Sequence, residues 1–414
     1  MQTLYVYLRG KRIGLLCSDK GRLSFRYDAD YVSSGIGEAI SYTLPVRLEP
    51  YSGGEVVAFF SNLLPDESVR VKIAQYLGIS HTNIFALLKN IGEDCAGAVV
   101  LLQPEREFTA QEQAIYRHLS DDEAHDILQR LPERPLNVGE KDFHISGAGA
   151  QDKLVACVQD GHIVLPLNGT PSTHIIKPGI PRFPESVFNE FYCMRLAKEC
   201  KLDTADCDLL YLKGIPYYVT RRYDRALDKS GCTRLHQEDF CQLLCYEPSV
   251  KYESEGGPRL LQCFQLLRDM ALPAADMIEF FRRIIFIFLI GNGDAHAKNF
   301  SVIYHGSGAR LSPAYDLLST AVYPNLPAKL AMKIEGRNGF PWITRNKFLR
   351  MGSKAGFAER LVNAEMDKLL KLLHRILGDF TDKMNREHPS PIYALIAEGI
   401  RKRMLQLASN APLD

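Results

Sequence analysis

The ten residues Gly291-Asn292-Gly293-Asp294-Ala295-His296-Ala297-Lys298-Asn299-Phe300 are the most informative stretch of this chain. They follow an apolar run over 284–290, and their two glycines predict that a helix ends at this point. Asp294 then precedes Asn299 by the D-x-x-x-x-N spacing at which kinase catalytic loops place a carboxylate and a magnesium ligand. The stretch therefore predicts a loop for transfer of the γ-phosphoryl group of ATP. Such a site also needs a phosphate loop, a lysine and a second metal-binding Asp.

A second carboxylate follows 22 residues after Asp294, where a second metal-binding Asp is expected. Asp316 lies in Ser312-Pro313-Ala314-Tyr315-Asp316-Leu317, after a short predicted strand. A carboxylate at Asp294 could accept or orient the proton of an attacking hydroxyl, while Asn299 offers a neutral oxygen to magnesium. Singly, Asp294 and Asn299 could be turn formers and Asp316 a helix N-cap. Together, after the apolar helix, they favour the functional interpretation.

A lysine at a strand end is the next candidate. Lys177 ends the apolar segment His174-Ile175-Ile176-Lys177, where an ammonium group can neutralise the α- and β-phosphates. Glu190, on the predicted helix that follows, could hold this lysine as an ion pair. A lysine in this place is ordinarily a solvated surface group, so the interpretation depends on the Asp294 constellation.

The segment Ser146-Gly147-Ala148-Gly149-Ala150-Gln151-Asp152-Lys153 is a small-residue loop between strand-like segments. Backbone N–H groups in such a loop can approach phosphates closely. It satisfies neither G-x-G-x-x-G nor a Walker loop, and a hairpin turn remains an alternative. Tyr223-Asp224 follows a strand, at a place where a nucleotide base could stack, although an ordinary strand end explains it nearly as well. His296 has no zinc-ligand partners at set spacing, which argues against metalloenzyme chemistry.

The composition limits the classes of protein to which this chain can belong. The chain has 414 residues, a formal net charge of +1 and a 46% hydrophobic fraction, which indicates a folded globule rather than a nucleic-acid coat. None of its ten cysteines forms C-x-x-C, and reduced thiols fit a cytosolic protein. The N-terminus shows no signal-peptide pattern, and the apolar runs are too short to span a bilayer. We therefore expect a cytoplasmic location.

The pattern along the chain predicts an α+β fold in several parts. Residues 1–105 read as a small α+β unit, 106–140 as a polar connector with one short helix, and 141–235 as strands flanking a helix over 186–200. Residues 236–414 read as mostly helical, with short strands near 300–304 and 309–312 and helix throughout 356–408. A β-rich half before a helical half is the order of a two-lobed kinase, although other α+β folds share it. In a kinase, 141–235 would be the ATP-binding lobe and 236–414 the lobe carrying the catalytic loop.

Several motifs then resemble one known family, the HipA toxin kinases. They cover nearly the whole chain and are long and specific, and they comprise Asn62 to Asp66, Gly92 to Val99, Ile145 to Lys153, Thr173 to Lys177, Asn189 to Cys193, Gln237 to Asp239, Val250 to Pro258 and Gly293 to Val302. The resemblance implies a bacterial Ser/Thr protein kinase of a type II toxin–antitoxin pair. Its fold would be related to those of phosphoinositide-3-kinase-like and eukaryotic kinases, with a helical C-terminal lobe.

The resemblance also implies roles for individual residues. Asp294 would be the catalytic carboxylate, and Asn299 and Asp316 would hold Mg²⁺. Lys177 and Asp316 would belong with Asp294 to the catalytic set. ATP would be bound by Ala148, Gly149, Ala150, Gln151, Asp152, Lys153, Lys177, Arg221, Arg222, Tyr223, His296, Ala297, Lys298, Asn299, Tyr315 and Asp316, with residues 221–223 lining the adenine hinge.

Ser146 matches the autophosphorylated serine of this family. A phosphate there would add roughly −1.5 to −2 charge beside a loop meant to bind phosphate, which should pull the loop away and inactivate the enzyme. Gly147 replaces a bulkier residue and is expected to loosen this loop. The hinge reads Arg221-Arg222-Tyr223-Asp224, where an acidic residue and Phe are familiar, so only backbone contacts to adenine are expected to be retained.

The resemblance implies a HipB-like helix-turn-helix antitoxin as partner and an aminoacyl-tRNA synthetase as the protein substrate, with translation and growth slowed. One alternative is a small-molecule phosphotransferase, because such enzymes share the Asp-x-x-x-x-Asn loop. Another is a transcriptional co-repressor acting with a DNA-binding antitoxin. In that assembly Arg345, Lys347, Arg350 and Lys354 could touch DNA phosphates, unless they only form a solvated face.

Overall fold

The computed structural model describes residues 1–35, 37–106, 114–228, 231–306 and 308–408. Their α-helices are α1 (Ala29–Ser33), α2 (Gly54–Asn62), α3 (Glu67–Leu77), α4 (Ile84–Ile91), α5 (Asp121–Arg130), α6 (Ser186–Glu199), α7 (Phe240–Leu243), α8 (Leu260–Asp269), α9 (Ala274–Ile290), α10 (Arg345–Lys354), α11 (Glu359–Glu387) and α12 (Ile392–Leu407). Their strands are β1 (Gln2–Leu8), β2 (Lys11–Asp19), β3 (Arg22–Tyr27), β4 (Val99–Leu102), β5 (Ile115–His118), β6 (Leu154–Gln159), β7 (His162–Leu167), β8 (His174–Lys177), β9 (Cys207–Leu212), β10 (Ile215–Arg221), β11 (Arg225–Asp228), β12 (Gly231–Arg234), β13 (Gln237–Asp239), β14 (Ser301–His305), β15 (Gly308–Leu311), β16 (Lys329–Ile334) and β17 (Arg337–Gly339).

The chain forms two compact units, each built from separate segments. Unit 1 contains Met1–Pro178, Leu209–Ser249 and Ser301–Ser307, and unit 2 contains Gly179–Asp208, Val250–Phe300 and Gly308–Asp414. The division into parts at 105, 140 and 235 stays a prediction. The short helix predicted in the connector is present as α5, and strand β5 is present there in addition. Residues 107–113 of the connector lie outside the described residues.

Unit 1 begins with an antiparallel sheet of order β3-β2-β1-β4. Leu4, Val6 and Leu8 alternate along β1 and are buried, as the period-two pattern predicts. Helix α3 starts after its N-cap Asp66, which lies in the Pro65-Asp66-Glu67 start signal. These local signals position residues 61–66 and 92–97, which contact the loop 146–153 described below.

The second sheet of unit 1 has the order β5-β7-β6-β8-β10-β9, and the part of β9 that belongs to this unit is 209–212. Strands β8 and β10 are antiparallel, with Lys177 opposite Tyr218. Apart from these, β13 pairs with β14, where Glu238 lies opposite Val302. The strands predicted at 153–158, 162–166 and 173–177 are thereby confirmed within a residue at each end.

Unit 2 is built around α9, whose last seven residues are all buried. An apolar helix buried on every side must lie inside a core, and α11 and α12 supply part of it through residues such as Leu370 and Ile396. The predicted helix over 356–408 is interrupted at 388–391, because Pro389 and Pro391 cannot continue the backbone hydrogen bonding of α11.

One element of unit 2 was not predicted. Strands β16 and β17 form an antiparallel hairpin, with Ile334 opposite Arg337. Three buried neighbours in β16 (Leu330, Ala331 and Met332) break the alternation that would have marked a strand. The mixture of helices and sheets confirms the predicted α+β class. Among the described residues, no helix combines the length and apolar character that crossing a bilayer requires.

Candidate active site

The 291–300 loop begins where α9 ends at a left-handed glycine. Gly291 has φ +71° and caps the helix through its N–H, which favours glycine because a Cβ clashes in this conformation. The guanidinium of Arg403 on α12 donates to the carbonyl of Leu289 at 2.8 Å. A Cβ at Gly293 would lie 2.5 Å from the carbonyl oxygen of Lys329. Both glycines are therefore needed for the path of the loop.

Asn292 joins the two segments that carry the carboxylates. Its side chain is fully buried. Its Oδ1 accepts from the N–H of Asp294 at 2.9 Å, and its Nδ2 donates to the carbonyl of Asp316 at 3.3 Å. The interpretation of the sequence treated Asn292 only as part of a helix break. No signal in the chain points from Asn292 to Asp316.

Two further side chains hold the same segments together. The hydroxyl of Tyr315 donates to the carbonyl of Lys298 at 2.8 Å. The Thr320 hydroxyl accepts from the N–H of Gly293 at 2.7 Å and donates to the carbonyl of Gly291 at 3.1 Å. Asp294, Asn299 and Asp316 therefore belong to one assembled cluster in unit 2, as the spacing predicted.

Asp316 is not a helix N-cap, because residues 316–319 are not helical. Its φ is +53°, a left-handed conformation that few non-glycine residues adopt. Backbone strain of this kind costs about 1–3 kcal/mol and persists only where the surroundings enforce it. Here the carbonyl of Asp316 is held by Asn292. The alternative explanation for Asp316 is thereby removed.

Asn299 and Asp316 line a small cavity together with Tyr315 and with apolar side chains such as Ile287 and Leu317. The volume of this cavity is about 10 Å³. The amide nitrogen of Asn299 faces the carbonyl of Asp294 at 3.4 Å. A carboxylate and an amide oxygen suit Mg²⁺, which usually takes one or two carboxylates and completes its shell with phosphates and water. The described residues contain no group of three or more His, Cys, Asp or Glu side chains that could hold a metal alone.

The residues between Asp294 and Asn299 are mostly buried. Ala297 and Lys298 lie in the 3-10 turn Ala297–Asn299, and both are buried together with His296. The N–H of His296 donates to the carbonyl of Asp294 at 2.7 Å. The loop is therefore a closed turn fixed at both ends, and nucleotide contacts from 296–298 stay a prediction.

Lys177 and Glu190 lie in different units. Lys177 ends β8, is buried, and has its ammonium 5.5 Å from the centre of the Tyr218 ring. Glu190 is a buried residue of α6. A buried lysine at this strand end is not the solvated group that the sequence alternative described. The ion pair between Lys177 and Glu190 stays a prediction.

The phosphate-loop candidate is tied to the N-terminal part of unit 1. Ser146 is 2% exposed. Its hydroxyl donates to the carbonyl of Leu63 at 2.5 Å, and its N–H donates to the carbonyl of Asp94 at 3.2 Å. The carbonyl of Gly149 accepts from the N–H of Asp66 at 3.2 Å. In this conformation the serine is inaccessible to an external phosphoryl donor.

The remainder of this loop is more open. Ala150 is exposed, while Gln151 and Asp152 are half-buried. The ammonium of the buried Lys153 donates back to the carbonyl of Ala148. Gln151 donates to the carbonyl of Pro178 at 3.2 Å, next to Lys177. Burial raises the pKa of the Asp152 carboxyl, against the opposing effect of nearby lysines. The loop thus brings its small residues and a lysine to one end of β6.

Gly147 does not loosen the loop in this conformation. A Cβ at this position would lie 2.9 Å from Cδ2 of Leu136 and 3.0 Å from Cγ2 of Val155. Such distances are too short for real Cβ contacts, so the glycine permits close packing. The sequence-based expectation of looseness is corrected accordingly, because Leu136 lies distant in sequence and could not be anticipated.

The residues of the predicted adenine hinge differ in their exposure. Arg221 is exposed at the end of β10, but the Arg222 side chain is buried. Its guanidinium donates to both carboxylate oxygens of Asp224, at 3.0 and 2.8 Å. The hydroxyl of Tyr223 donates to Gln237. Arg222 can therefore line a nucleotide pocket only through its backbone, and the other hinge contacts stay predictions.

Arg222 belongs to a buried ionic cluster centred on Asp94. Oδ1 of Asp94 accepts from Arg225 and Arg234, each at 2.9 Å, and Oδ2 accepts from Ser172 Oγ at 2.5 Å and Arg222 at 3.4 Å. Burial alone would raise the pKa of the Asp94 carboxyl, but the three guanidinium groups hold it well below its usual range. In the sequence, the motif that contains Asp94 was the only sign that this residue matters. The motif does not show that three arginines surround the carboxylate.

The basic residues of α10 are mostly engaged within unit 2. Arg345 donates to Asn363 and forms an ion pair with Asp367 at 2.7 Å. Lys347 donates to the carbonyl of Glu335, and Lys354 pairs with the carboxylate of the same residue at 2.7 Å. This arrangement favours a structural role for these three residues over contact with DNA.

Comparisons with known proteins agree with the geometry. A family model described as the HipA-like C-terminal domain matches residues 145–376, and one described as the HipA N-terminal domain matches 4–102. The chain is 40% identical over 392 residues to "Putative kinase Y4mE" of Sinorhizobium fredii, covering 92% of this chain and 93% of that protein. It is 29% identical over 351 residues to the serine/threonine-protein kinase toxin HipA of Shewanella oneidensis, covering 80% and 78%.

A solved structure extends this similarity to the fold. The Shewanella oneidensis complex of HipA, HipB and operator DNA contains a chain that superimposes with a TM-score of 0.82 at 26% identity, covering 97% of this chain and 96% of that one. The two-lobed kinase-like fold predicted from the sequence is therefore confirmed. The chain belongs to the HipA family and is a HipA-like kinase.

Proposed function

We propose that this chain is an ATP- and Mg²⁺-dependent Ser/Thr protein kinase that acts as the toxin of a HipA/HipB-like pair. The observation that carries the proposal is the assembly of Asp294, Asn299 and Asp316 in unit 2. Asn292 bonds to the backbone of both Asp294 and Asp316, although Asp316 lies 24 residues after Asn292 in the sequence. Structural roles as separate turn formers would not require this bridge.

In the proposed reaction, a Ser or Thr hydroxyl attacks the γ-phosphorus of ATP. A bond forms between the hydroxyl oxygen and phosphorus, the bond from phosphorus to the β,γ-bridging oxygen breaks, and ADP leaves. The carboxylate of Asp294 orients the hydroxyl and accepts its proton. Lys177 and the backbone N–H groups of 148–152 neutralise the phosphates.

The oxygen donors of Asn299 and Asp316 fit Mg²⁺ better than a softer metal. These two residues would hold the ion, which when bound neutralises charge on the phosphates. Because the protein would supply only two ligands, we propose that Mg²⁺ enters the site bound to ATP. Tyr315 supports them by bonding to the carbonyl of Lys298, so it positions Asp316 beside the loop.

Ser146 is the proposed site of self-inactivation. Its hydroxyl and N–H are both bonded, and its side chain is buried. A phosphate of about −1.5 to −2 charge could not be accommodated there without losing the bond to Leu63. Phosphorylation therefore requires release of 146–149 and prevents its return, which removes the loop from phosphate binding.

Membership of the HipA family supports a proposal for the antitoxin and for the target. A HipB-like helix-turn-helix protein is the proposed partner, because the Shewanella relative was solved with HipB and operator DNA. DNA is contacted through that partner, in keeping with the engaged basic residues of α10. A co-repressor role is compatible with this assembly. The proposed protein substrate is an aminoacyl-tRNA synthetase, whose phosphorylation would inhibit translation and slow growth.

The test is transfer of label from [γ-³²P]ATP in magnesium buffer, with the chain alone and with a cell extract. Wild type should label itself at Ser146 and label a synthetase in the extract. Asp294→Asn should label neither, whereas Ser146→Ala should label only the external protein. Absence of label with every variant would refute the kinase proposal. Label appearing only on small molecules would favour the phosphotransferase alternative.

A further inference from the structure

Tyr252 contacts the catalytic carboxylate directly. It belongs to unit 2 and precedes the 3-10 turn Glu253–Glu255. Its hydroxyl donates to Oδ1 of Asp294. The bonds from Asn292, Thr320 and Tyr315 reach the loop through its backbone, whereas this one reaches the carboxylate that is proposed to act on the acceptor hydroxyl. The contact spans 42 positions of sequence, so no local pattern indicates it.

The ring of Tyr252 is also fixed. It meets the His296 ring edge-to-face, with centroids 5.0 Å apart and an interplanar angle of 90°. Such a geometry is favourable for aromatic pairs. Because His296 lies two positions after Asp294, the ring and the hydroxyl of Tyr252 both contact the catalytic loop. The phenol is therefore an oriented donor and not a freely rotating one.

The backbone around Tyr252 forms a closed turn. Its carbonyl accepts from the N–H groups of Glu255 at 3.0 Å and Gly257 at 2.9 Å. A Cβ at Gly257 would lie 2.0 Å from the carbonyl oxygen of Val250, so only glycine closes this turn. Glu253 accepts from the N–H of Lys333 in β16 at 2.6 Å. The turn thus anchors Tyr252 to the β16–β17 hairpin.

We infer that Tyr252 is a positioning residue for phosphoryl transfer, because its hydroxyl fixes the rotation of the Asp294 carboxylate. The inference rests on the proposed kinase function. Rotation of a carboxylate about its Cβ–Cγ bond is only weakly restricted by intrinsic torsion, so an oriented donor on one oxygen decides where both oxygens lie. The acceptor hydroxyl then meets a carboxylate already in its working orientation.

Tyr252→Phe tests this inference because it removes the hydroxyl and keeps the ring against His296. We expect kcat for phosphoryl transfer from [γ-³²P]ATP to the proposed synthetase substrate to fall roughly 10-fold. That factor is the equivalent of one hydrogen bond of about 1.4 kcal/mol. The KM for ATP and the melting temperature should stay at the wild-type values. Tyr252→Leu, which also removes the ring, should lower kcat at least as far.

Tyr211→Phe is the matched control, since Tyr211 is 45% exposed on β9 and lies outside the proposed site. Wild-type kcat in Tyr252→Phe would overturn the inference, as would a higher kcat or an effect confined to the KM for ATP. Loss in Tyr252→Leu alone would also overturn it, because the ring and not the hydroxyl would then matter. Failure of the proposed function is distinguishable, because wild type itself would then show no activity that depends on Asp294.

Discussion

The predicted hinge differs from the predicted catalytic loop in the kind of bond that holds it. In unit 1, the carboxylate of Asp94 holds the hinge through Arg222 and Arg225, while its carbonyl holds the N–H of Ser146. In unit 2, neutral amide and hydroxyl groups of Asn292 and Thr320 hold the loop. The first region depends on buried charge, and the second depends on neutral hydrogen bonds.

The two kinds of bond should fail in different ways. Removing one partner from a buried ionic cluster leaves uncompensated charge, which is a large cost in folding free energy. Removing a neutral hydrogen bond costs less stability. It displaces catalytic groups, however, and these must lie within fractions of an ångström of their working positions. Asp94 also lies in the segment that matches the HipA N-terminal domain. That domain therefore contributes to the stability of the predicted hinge.

Asp94→Asn should have the largest effect of the substitutions considered. It keeps the size of the side chain but removes the charge that three arginines face, so we expect a loss of about 3–5 kcal/mol in the free energy of unfolding. Urea denaturation followed by circular dichroism measures it. Asp122→Asn is the control, because Asp122 is an exposed partner of Lys213. Equal midpoints for the two variants would show that the cluster does not stabilise unit 1.

Glu238 offers a comparison within unit 1, because it is a buried carboxylate held by neutral donors. It accepts from Ser41 Oγ at 2.5 Å, the N–H of Tyr42 at 3.0 Å and Tyr304 Oη at 2.5 Å. Burial, opposed only in part by these bonds, raises its pKa from 4.5 to about 7. Asp94, which faces guanidinium groups, shifts the opposite way.

Because the folded-state pKa of Glu238 is raised, its contribution to stability is complete below about pH 4.5 and is lost as the pH rises through 7. Relative to Glu238→Gln, wild type should lose about 2–3 kcal/mol between pH 5 and pH 8. His236, whose pKa burial lowers to about 4, acts in the reverse direction and is common to both proteins. Parallel stability curves for the two proteins would refute the raised pKa.

Asn292→Ala should reduce activity more than stability. Without the bridge, the Asp294 and Asp316 segments lose a common anchor, and a displacement of about 1 Å can lower turnover roughly 100-fold. The kcat for labelled phosphoryl transfer measures this effect. Asn363→Ala is the control, since Asn363 also bonds through its side chain but contacts Arg345 away from the loop. Equal turnover in the two variants would contradict the role of Asn292.

Gly147→Ala should have the smallest effect. The added methyl group would press on Leu136 and Val155, and overpacking of this kind costs about 1–3 kcal/mol. Shifting the loop relieves the clash, so Ser146 should also become phosphorylated faster. Gly54→Ala is the control, because a Cβ there meets nothing within 4 Å. Slower phosphorylation in Gly147→Ala would contradict the close packing of this loop.

Local patterns predicted much of this molecule, and pairings distant in sequence account for most of the remainder. Alternation and helical period located β6, β7, β8 and α6, and residue spacing selected Asp294, Asn299 and Asp316, which the fold brings together. The contacts of Asn292 and Tyr252 depend on chain segments that meet only after folding.

The Arg222 side chain shows a second reason why some features could not be predicted from the sequence. A position in a motif does not reveal whether the side chain or the backbone faces the ligand, and here Asp94 and Asp224 draw the guanidinium into the core. The hairpin β16–β17 was missed because its buried residues do not alternate. Burial by tertiary packing, which sequence periodicity does not report, decided both cases.

Intact-protein mass spectrometry shows whether phosphoryl transfer by this protein depends on the Asp294 loop. Dephosphorylated wild type and Asp294→Asn would each be incubated with ATP and Mg²⁺, and any modified residue would be located by peptide fragmentation. We expect one added phosphoryl group on Ser146 in wild type and none in Asp294→Asn. Equal phosphorylation of both proteins, or of neither, would show that Asp294 does not carry the transfer.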